Sequence, residues 1–178
     1  AVGLTAPGVV THYARGEIVL PTELGALVSM FEEAGIPATT TDNLTGMLWN
    51  KLLLNASLNA LSMITSTSFG QLASSPDGRQ VVESVVEEVV AVAKSMGIDL
   101  GVSDPVGSVL ITAESLGAGM SSMWQDHQVG KKIEIDALNG LVVRQGQKHG
   151  VPTPVNLTLY AAASMMARRQ ADAASQSI

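Results

Sequence analysis

Over most of the chain apolar positions recur every three to four residues, the mark of helices that turn one face to a core. The run Val81-Val82-Glu83-Ser84-Val85-Val86-Glu87-Glu88-Val89-Val90 is rich in β-branched residues, yet its apolar pairs return every four residues rather than alternating. Period outranks propensity here, and a helix is predicted. Ser75-Pro76 opens it with a cap and a first-turn proline, and Gly97 closes it. The same reading predicts helices from Glu23 to Ala34 with Thr22 as cap, from Leu44 to Ser62, from Asp104-Pro105 to Leu116, from Ser122 to Gln128, from Ile133 to His149 and from Pro154 to Arg169. Gln170 to Ile178 is small and polar and is expected to fray.

The first twenty residues follow another pattern. Val9 to Tyr13 and Glu17 to Leu20 are β-branched or apolar runs around Ala14-Arg15-Gly16, which predicts a hairpin. A lone hairpin is marginal in water, so it reads as the edge of a sheet whose other strands lie outside the chain. The fold class is therefore mainly α with a short N-terminal β-hairpin. The opening AVGLTAPGVVTH has neither an initiator Met nor the basic start and apolar run of a signal peptide, and the chain is expected to begin mid-protein.

The predicted helix from Leu44 to Ser62 is apolar nearly all round and is expected to be buried. At about 100° per residue, Lys51, Asn55 and Asn59 stack above one another beside Leu44, Leu48 and Leu58, with Trp49, Leu53, Ala56 and Ala60 opposite. One ammonium and two amides in a dry stripe need partners, because an unpaired buried amide costs about 1–3 kcal/mol. Alone, Lys51 reads first as a lysine that lays its stem on apolar neighbours and lifts its head into water. Asn55 and Asn59 read as helix-to-helix hydrogen bonders. Three polar groups in register point equally to a binding site.

A second cluster is Ser121-Ser122-Met123-Trp124-Gln125-Asp126-His127. Ser122 and Gln125 have capping-box spacing, and a helix start can also hold a carboxylate. Glu134, near the start of the predicted Ile133 helix, shares a face with Leu138, Leu141 and Gln145. It is either a buried partner of Lys131 or Lys132 or a site group. His12, His127 and His149 lack metal-ligand spacing, so no metal is expected, and Glu83, Glu87 and Glu88 read as a solvated face.

Composition narrows the classes. With 178 residues, 46% of them apolar, and no cysteine, the chain suits one compact domain or one and a half and excludes a disulfide scaffold. A net charge of −6 argues against tracking phosphate backbones, so no nucleic-acid partner is expected. Nowhere do about 18 uncharged apolar residues run together, so no membrane span is predicted and the cytoplasm is the default location. Only 15% of residues are charged, against a typical figure of about 25%. A missing domain or a second subunit, as in a homodimer, would cover such a surface.

The chain resembles the ketopantoate reductases (2-dehydropantoate 2-reductases), specifically their C-terminal half. Four blocks carry the resemblance in order: Trp49-Asn50-Lys51-Leu52-Leu53-Leu54-Asn55-Ala56-Ser57-Leu58-Asn59-Ala60-Leu61, Ser121-Ser122-Met123-Trp124-Gln125-Asp126, Glu134-Ile135-Asp136-Ala137-Leu138-Asn139-Gly140, and Gly150-Val151-Pro152-Thr153-Pro154-Val155-Asn156. It implies an all-helical C-terminal domain of 6-phosphogluconate-dehydrogenase-like type, over residues 22–170. Residues 1–21 would be the last strands of an N-terminal Rossmann domain, and 171–178 a flexible tail. The implied enzyme reduces a 2-oxo acid with NADPH, the cofactor being held mainly by the missing Rossmann domain, since no Gly-x-Gly-x-x-Gly follows a strand here. Carried over residue by residue, Lys51 is the catalytic acid, Asn55 and Asn59 bind substrate, and Ser122 meets its carboxylate. Glu134 orients substrate and cofactor, and Asp126 supports the substrate site. Where many members carry a further amide after the asparagine helix, this chain reads Thr67-Ser68-Phe69-Gly70, which opens the alternative of a different, bulkier 2-oxo acid. A rival of another class is a stand-alone helical interaction module that kept the fold and lost the chemistry.

Overall fold

The computed structural model describes residues 2–12 and 16–175. Contacts divide the chain into two compact units, Ala1–Thr45 and Gly46–Ile178. In the first, β1 (Val2–Ala6) pairs antiparallel with β2 (Val9–His12), in the register Val2 to His12 and Leu4 to Val10. The N-terminal hairpin thus closes at Pro7-Gly8, where Gly8 takes the positive φ of 75° that a tight turn requires. Residues 9–12 and 18–20 do not pair as the predicted hairpin, and residues 13–15, which include most of its expected turn, lie outside the described residues. Instead β3 (Ile18–Pro21) pairs in parallel with β4 (Ala38–Thr41). Parallel neighbours need a crossover, supplied by a 3-10 turn (Thr22–Leu27) running into α1 (Val28–Glu33). Thr22 does not cap this helix; its hydroxyl donates to Asp42, the residue that follows β4 at the same end of the strand pair.

The second unit is helical: α2 (Leu44–Thr65, entering from the first unit), α3 (Phe69–Ser74), α4 (Pro76–Ser95), α5 (Pro105–Leu116), α6 (Ser122–Gln128), α7 (Asn139–His149) and α8 (Pro154–Ser175). Local chemistry explains the bounds. Ser75 caps α4 by accepting from the Gly78 N–H with Pro76 in the first turn, and Asp104 caps α5 the same way ahead of Pro105. A short helix that periodicity missed, α3, carries a full capping box between Ser68 and Gln71. Helix α8 runs on to Ser175, and the Gln170 amide donates to the His127 carbonyl at 2.7 Å. The core gathers around α4, whose Val82, Val85, Val86, Val89 and Val92 are fully buried against α2, α5, α7 and α8 residues. No helix among the described residues is long and apolar enough to cross a membrane.

Two features depart from the amphipathic pattern. Glu88 does not lie on a solvated face with its neighbours: it is half-buried and accepts hydrogen bonds from the start of α8. Gly78, inside α4, lets the helix press on α3, and a Cβ there would overlap the Leu72 carbonyl oxygen and lie 3.1 Å from its carbon. At an open helix site Gly→Ala gains up to about 1 kcal/mol. Here backbone meets Cβ, so Gly78→Ala is expected to lose about 1–3 kcal/mol in urea unfolding.

Candidate functional site

The stripe Lys51, Asn55 and Asn59 forms on α2 as predicted by its spacing, but it is not uniformly dry. Lys51 is exposed, Asn55 half-buried and Asn59 only 7% exposed, so the stripe descends from open surface into the bundle along two turns. Leu48, read as core, is 59% exposed, which corrects the expectation that this helix is buried all round. Among the described residues no hydrogen bond or ion pair engages the Lys51 ammonium.

The buried end of the stripe meets α6. Ser121 is wholly buried, and its hydroxyl donates to the Asn59 carbonyl at 3.1 Å while accepting from the Trp124 N–H at 3.0 Å. Its own N–H donates to Ser62 Oγ at 3.4 Å. Ser121, not Ser122, is therefore the cap of α6, and it joins the first turn of that helix to the last asparagine of the stripe. That frees Ser122, which is exposed at the head of the helix. Sequence reading missed Ser121 because only Ser122 has a glutamine three residues on, the spacing of a capping box. Ser121→Ala removes a buried donor to one helix and the cap of another, and should cost about 1–3 kcal/mol in thermal or urea unfolding.

Asp126 follows Ser122 by one turn and is half-buried, with its carbonyl accepting from the Lys131 N–H at 2.8 Å. Glu134 differs from expectation. It does not lie in a helix: residues 131–134 belong to no helix or strand, 135–138 form turns, and α7 starts only at Asn139. Ile133 and Ile135 alternate inward at 5% and 4% exposure, which sets Glu134 between them on the outside. Its carboxylate is exposed rather than packed with Leu138 and Leu141. The structure thus joins Ser121, next to Ser122, to the Asn59 backbone, while among the described residues no hydrogen bond or ion pair joins Lys51, Glu134 or the Ser122 side chain to the stripe.

The inner side of the same segment borders a groove of about 440 Å³ between residues 130–136 and α8. It is lined by Ile133, Ile135, Tyr160, Ala167 and Arg168, and none of the six predicted site residues faces it. At its rim the Tyr160 hydroxyl donates to Asp136 Oδ1 at 2.8 Å. That hydrogen bond, and then the charge of the carboxylate, hold the phenol above its usual pKa. The chemistry open to the candidate site is different: an accessible ammonium, two carboxamides at graded depth and a hydroxyl suit a small oxygen-rich anion bearing a carbonyl.

Comparison with known proteins places the chain in a family. The family model described as the C-terminal part of ketopantoate reductase PanE/ApbA matches residues 43–167. The 2-dehydropantoate 2-reductase of Pyrobaculum aerophilum is 34% identical over 145 residues, covering 82% of this chain and 52% of that protein. Among solved structures, a PanE/ApbA family ketopantoate reductase from Ralstonia eutropha superposes with a TM-score of 0.88 at 41% identity, over 96% of this chain and 57% of that one. D-mandelate dehydrogenase, solved with NADH and anilino(oxo)acetate, superposes with a TM-score of 0.83 at 26% identity, over 96% of this chain and 58% of that one. The chain spans about half the length of the relatives it matches. With the model covering most of its residues and the helical unit superposing throughout, the chain belongs to the ketopantoate reductase family, of which it carries the helical C-terminal domain.

Proposed function

We propose that the protein to which this chain belongs reduces 2-dehydropantoate to pantoate with NADPH, a step toward pantothenate and coenzyme A, and that this chain supplies the proton donor and most of the substrate contacts. The observation that supports the reading is the Ser121 hydroxyl on the Asn59 backbone carbonyl, which ties the residue preceding Ser122 to the buried end of the Lys51, Asn55 and Asn59 stripe. In this reading Asn55 and Asn59 hydrogen-bond the carbonyl and hydroxyl groups of the substrate, the Ser122 hydroxyl meets its carboxylate, and Asp126 supports that contact. Lys51 stabilises negative charge growing on the ketone oxygen and passes it a proton.

The nicotinamide cofactor, when bound, supplies the hydride that adds to the carbonyl carbon. The described residues offer it no Gly-rich turn between strand and helix, but the exposed Glu134 carboxylate can accept from an amide N–H of such a group. We therefore place the cofactor chiefly on a Rossmann domain to which residues 1–21 would contribute the last strands. The low share of charged residues, 15%, supports self-association, and the reading places the enzyme in the cytoplasm by default.

The test is NADPH oxidation by the full-length protein with 2-dehydropantoate, run beside NADH. Turnover with NADPH is expected; none with either cofactor would overturn the proposal. A second reading keeps the reaction and enlarges the substrate. It is favoured by Phe69, half-buried at the start of α3 with its N–H on the Gly119 carbonyl close to α6, and by the likeness to D-mandelate dehydrogenase. A panel of 2-oxo acids compared by kcat/KM separates the two: a bulky or aromatic acid winning by tenfold or more selects the second.

A further inference from the structure

The structure assigns a positioning role to Glu88, Asn156 and Asn139, three residues from three different helices that the substrate site does not include. Glu88 of α4 meets the start of α8: Oε1 accepts from the Val155 N–H at 2.8 Å, and Oε2 accepts from the Asn156 N–H at 2.9 Å and from Asn156 Nδ2 at 2.7 Å. Asn156 Oδ1 in turn accepts from Asn139 Nδ2 at 3.0 Å, and the same Nδ2 donates to the Ala56 carbonyl of α2 at 3.0 Å. Both asparagine side chains are completely buried.

The chain of bonds has one possible polarity. Both Glu88 oxygens already accept from backbone N–H groups, so the Asn156 amide turns its NH2 toward Glu88 and its oxygen toward Asn139. Asn139 must then present its NH2, whose second hydrogen reaches the Ala56 carbonyl, another group that only accepts. Flipping either amide would set donor against donor or acceptor against acceptor. Asn139 Oδ1 is left buried without a partner, a penalty that a leucine of similar volume would not incur. Packing alone does not explain this polar path.

What the path reaches is the turn of α2 between Asn55 and Asn59. Asn139 holds the Ala56 carbonyl and Ser121 holds the Asn59 carbonyl, so two helices fix consecutive points of that turn. Rotation or sliding of α2 would carry both carboxamides away from Ser122, and displacements near 1 Å can cost about a hundredfold in rate. Glu88 is thus a positioning residue: it acts through Asn156 and Asn139 on the substrate-binding asparagines. This role rests on the reductase reading above.

The experiment uses the full-length protein with Glu88→Gln, Asn156→Asp and the double variant. Asp104→Ala, which removes the cap of α5, serves as a control for lost stability. Steady-state kinetics are run below each variant's Tm, and amide hydrogen exchange is followed in peptides spanning 53–62. Each single variant is expected to raise KM for the 2-oxo acid roughly tenfold, the worth of one mis-set hydrogen bond, with KM for the cofactor unchanged and exchange in α2 faster. In the double variant the carboxamide introduced at position 88 can donate to the carboxylate introduced at position 156, which still accepts from Asn139, so KM and exchange should recover in part relative to the two losses combined, the new NH2 still facing the N–H of residue 156. The role is overturned if the singles lower Tm but leave the oxo-acid KM and α2 exchange like the Asp104→Ala control, or if the double is as impaired as the two losses combined. Should the parent protein show no reductase turnover, the reductase reading fails and the exchange pattern alone decides the relay.

Discussion

Lys51→Ala in the full-length protein is expected to lower kcat for the 2-oxo acid by about 10²–10⁴-fold, the usual worth of a positioned general acid. Hydride addition turns a trigonal carbonyl carbon into a tetrahedral one and leaves the electron pair on oxygen. An ammonium at that oxygen offsets the charge as it forms and then neutralises it by proton transfer. Because Lys51 is exposed and engaged by no described hydrogen bond or ion pair, the same substitution should move the unfolding free energy by no more than about 0.5 kcal/mol. A lysine kept for packing would show the reverse: stability lost and kcat retained. Lys51→Arg makes the distinction sharper, since a guanidinium keeps the charge but does not release a proton near neutral pH. Its kcat should stay closer to Lys51→Ala than to the parent. A kcat near the parent value in Lys51→Ala sinks the assignment.

The largest effect on stability is expected at Leu53→Ala, on the opposite side of the same helix. Leu53 is 0% exposed and sits in the cluster that joins α2 to α4. Truncating a leucine at such a site removes its transfer free energy and leaves a cavity, together about 2–5 kcal/mol. Domains of this size are stable by only about 5–15 kcal/mol, so the loss should be plain in urea unfolding of the full-length protein. Leu48→Ala, five residues earlier on the exposed side, should change stability by no more than about 0.5 kcal/mol. Equal losses at the two positions would contradict the burial described for α2.

Legibility followed the range of the interactions. The starts of α4 and α5 were readable because Ser75-Pro76 and Asp104-Pro105 place a cap and a first-turn proline side by side. Helix α7 begins at Asn139 and not at Ile133, because Ile133 and Ile135 turn inward on either side of the exposed Glu134, an apolar spacing that sequence alone does not separate from the first turn of a helix. The strand pairing was not readable: β3 finds its partner across a helical crossover, and short apolar runs carry no record of which run they join. Glu88 was unreadable for the same reason, since its hydrogen bonds lie 67 and 68 residues ahead in the chain.

The candidate site divides along the same line. Helical spacing alone aligned Lys51, Asn55 and Asn59, and the motif blocks added Ser122, Asp126 and Glu134. Depth was another matter, because Met47 and Leu48 look like core residues in a sequence and are exposed in the fold. No pattern of residue types distinguishes an apolar face that is covered from one that is not.

An amine standing open on this surface is also a reporter. Acylating reagents should modify Lys51 readily wherever that end of α2 is bare, and slowly wherever substrate or another part of the full-length protein shields it. Footprinting that one lysine by mass spectrometry, with and without a 2-oxo acid, would therefore follow occupancy of the face without any turnover.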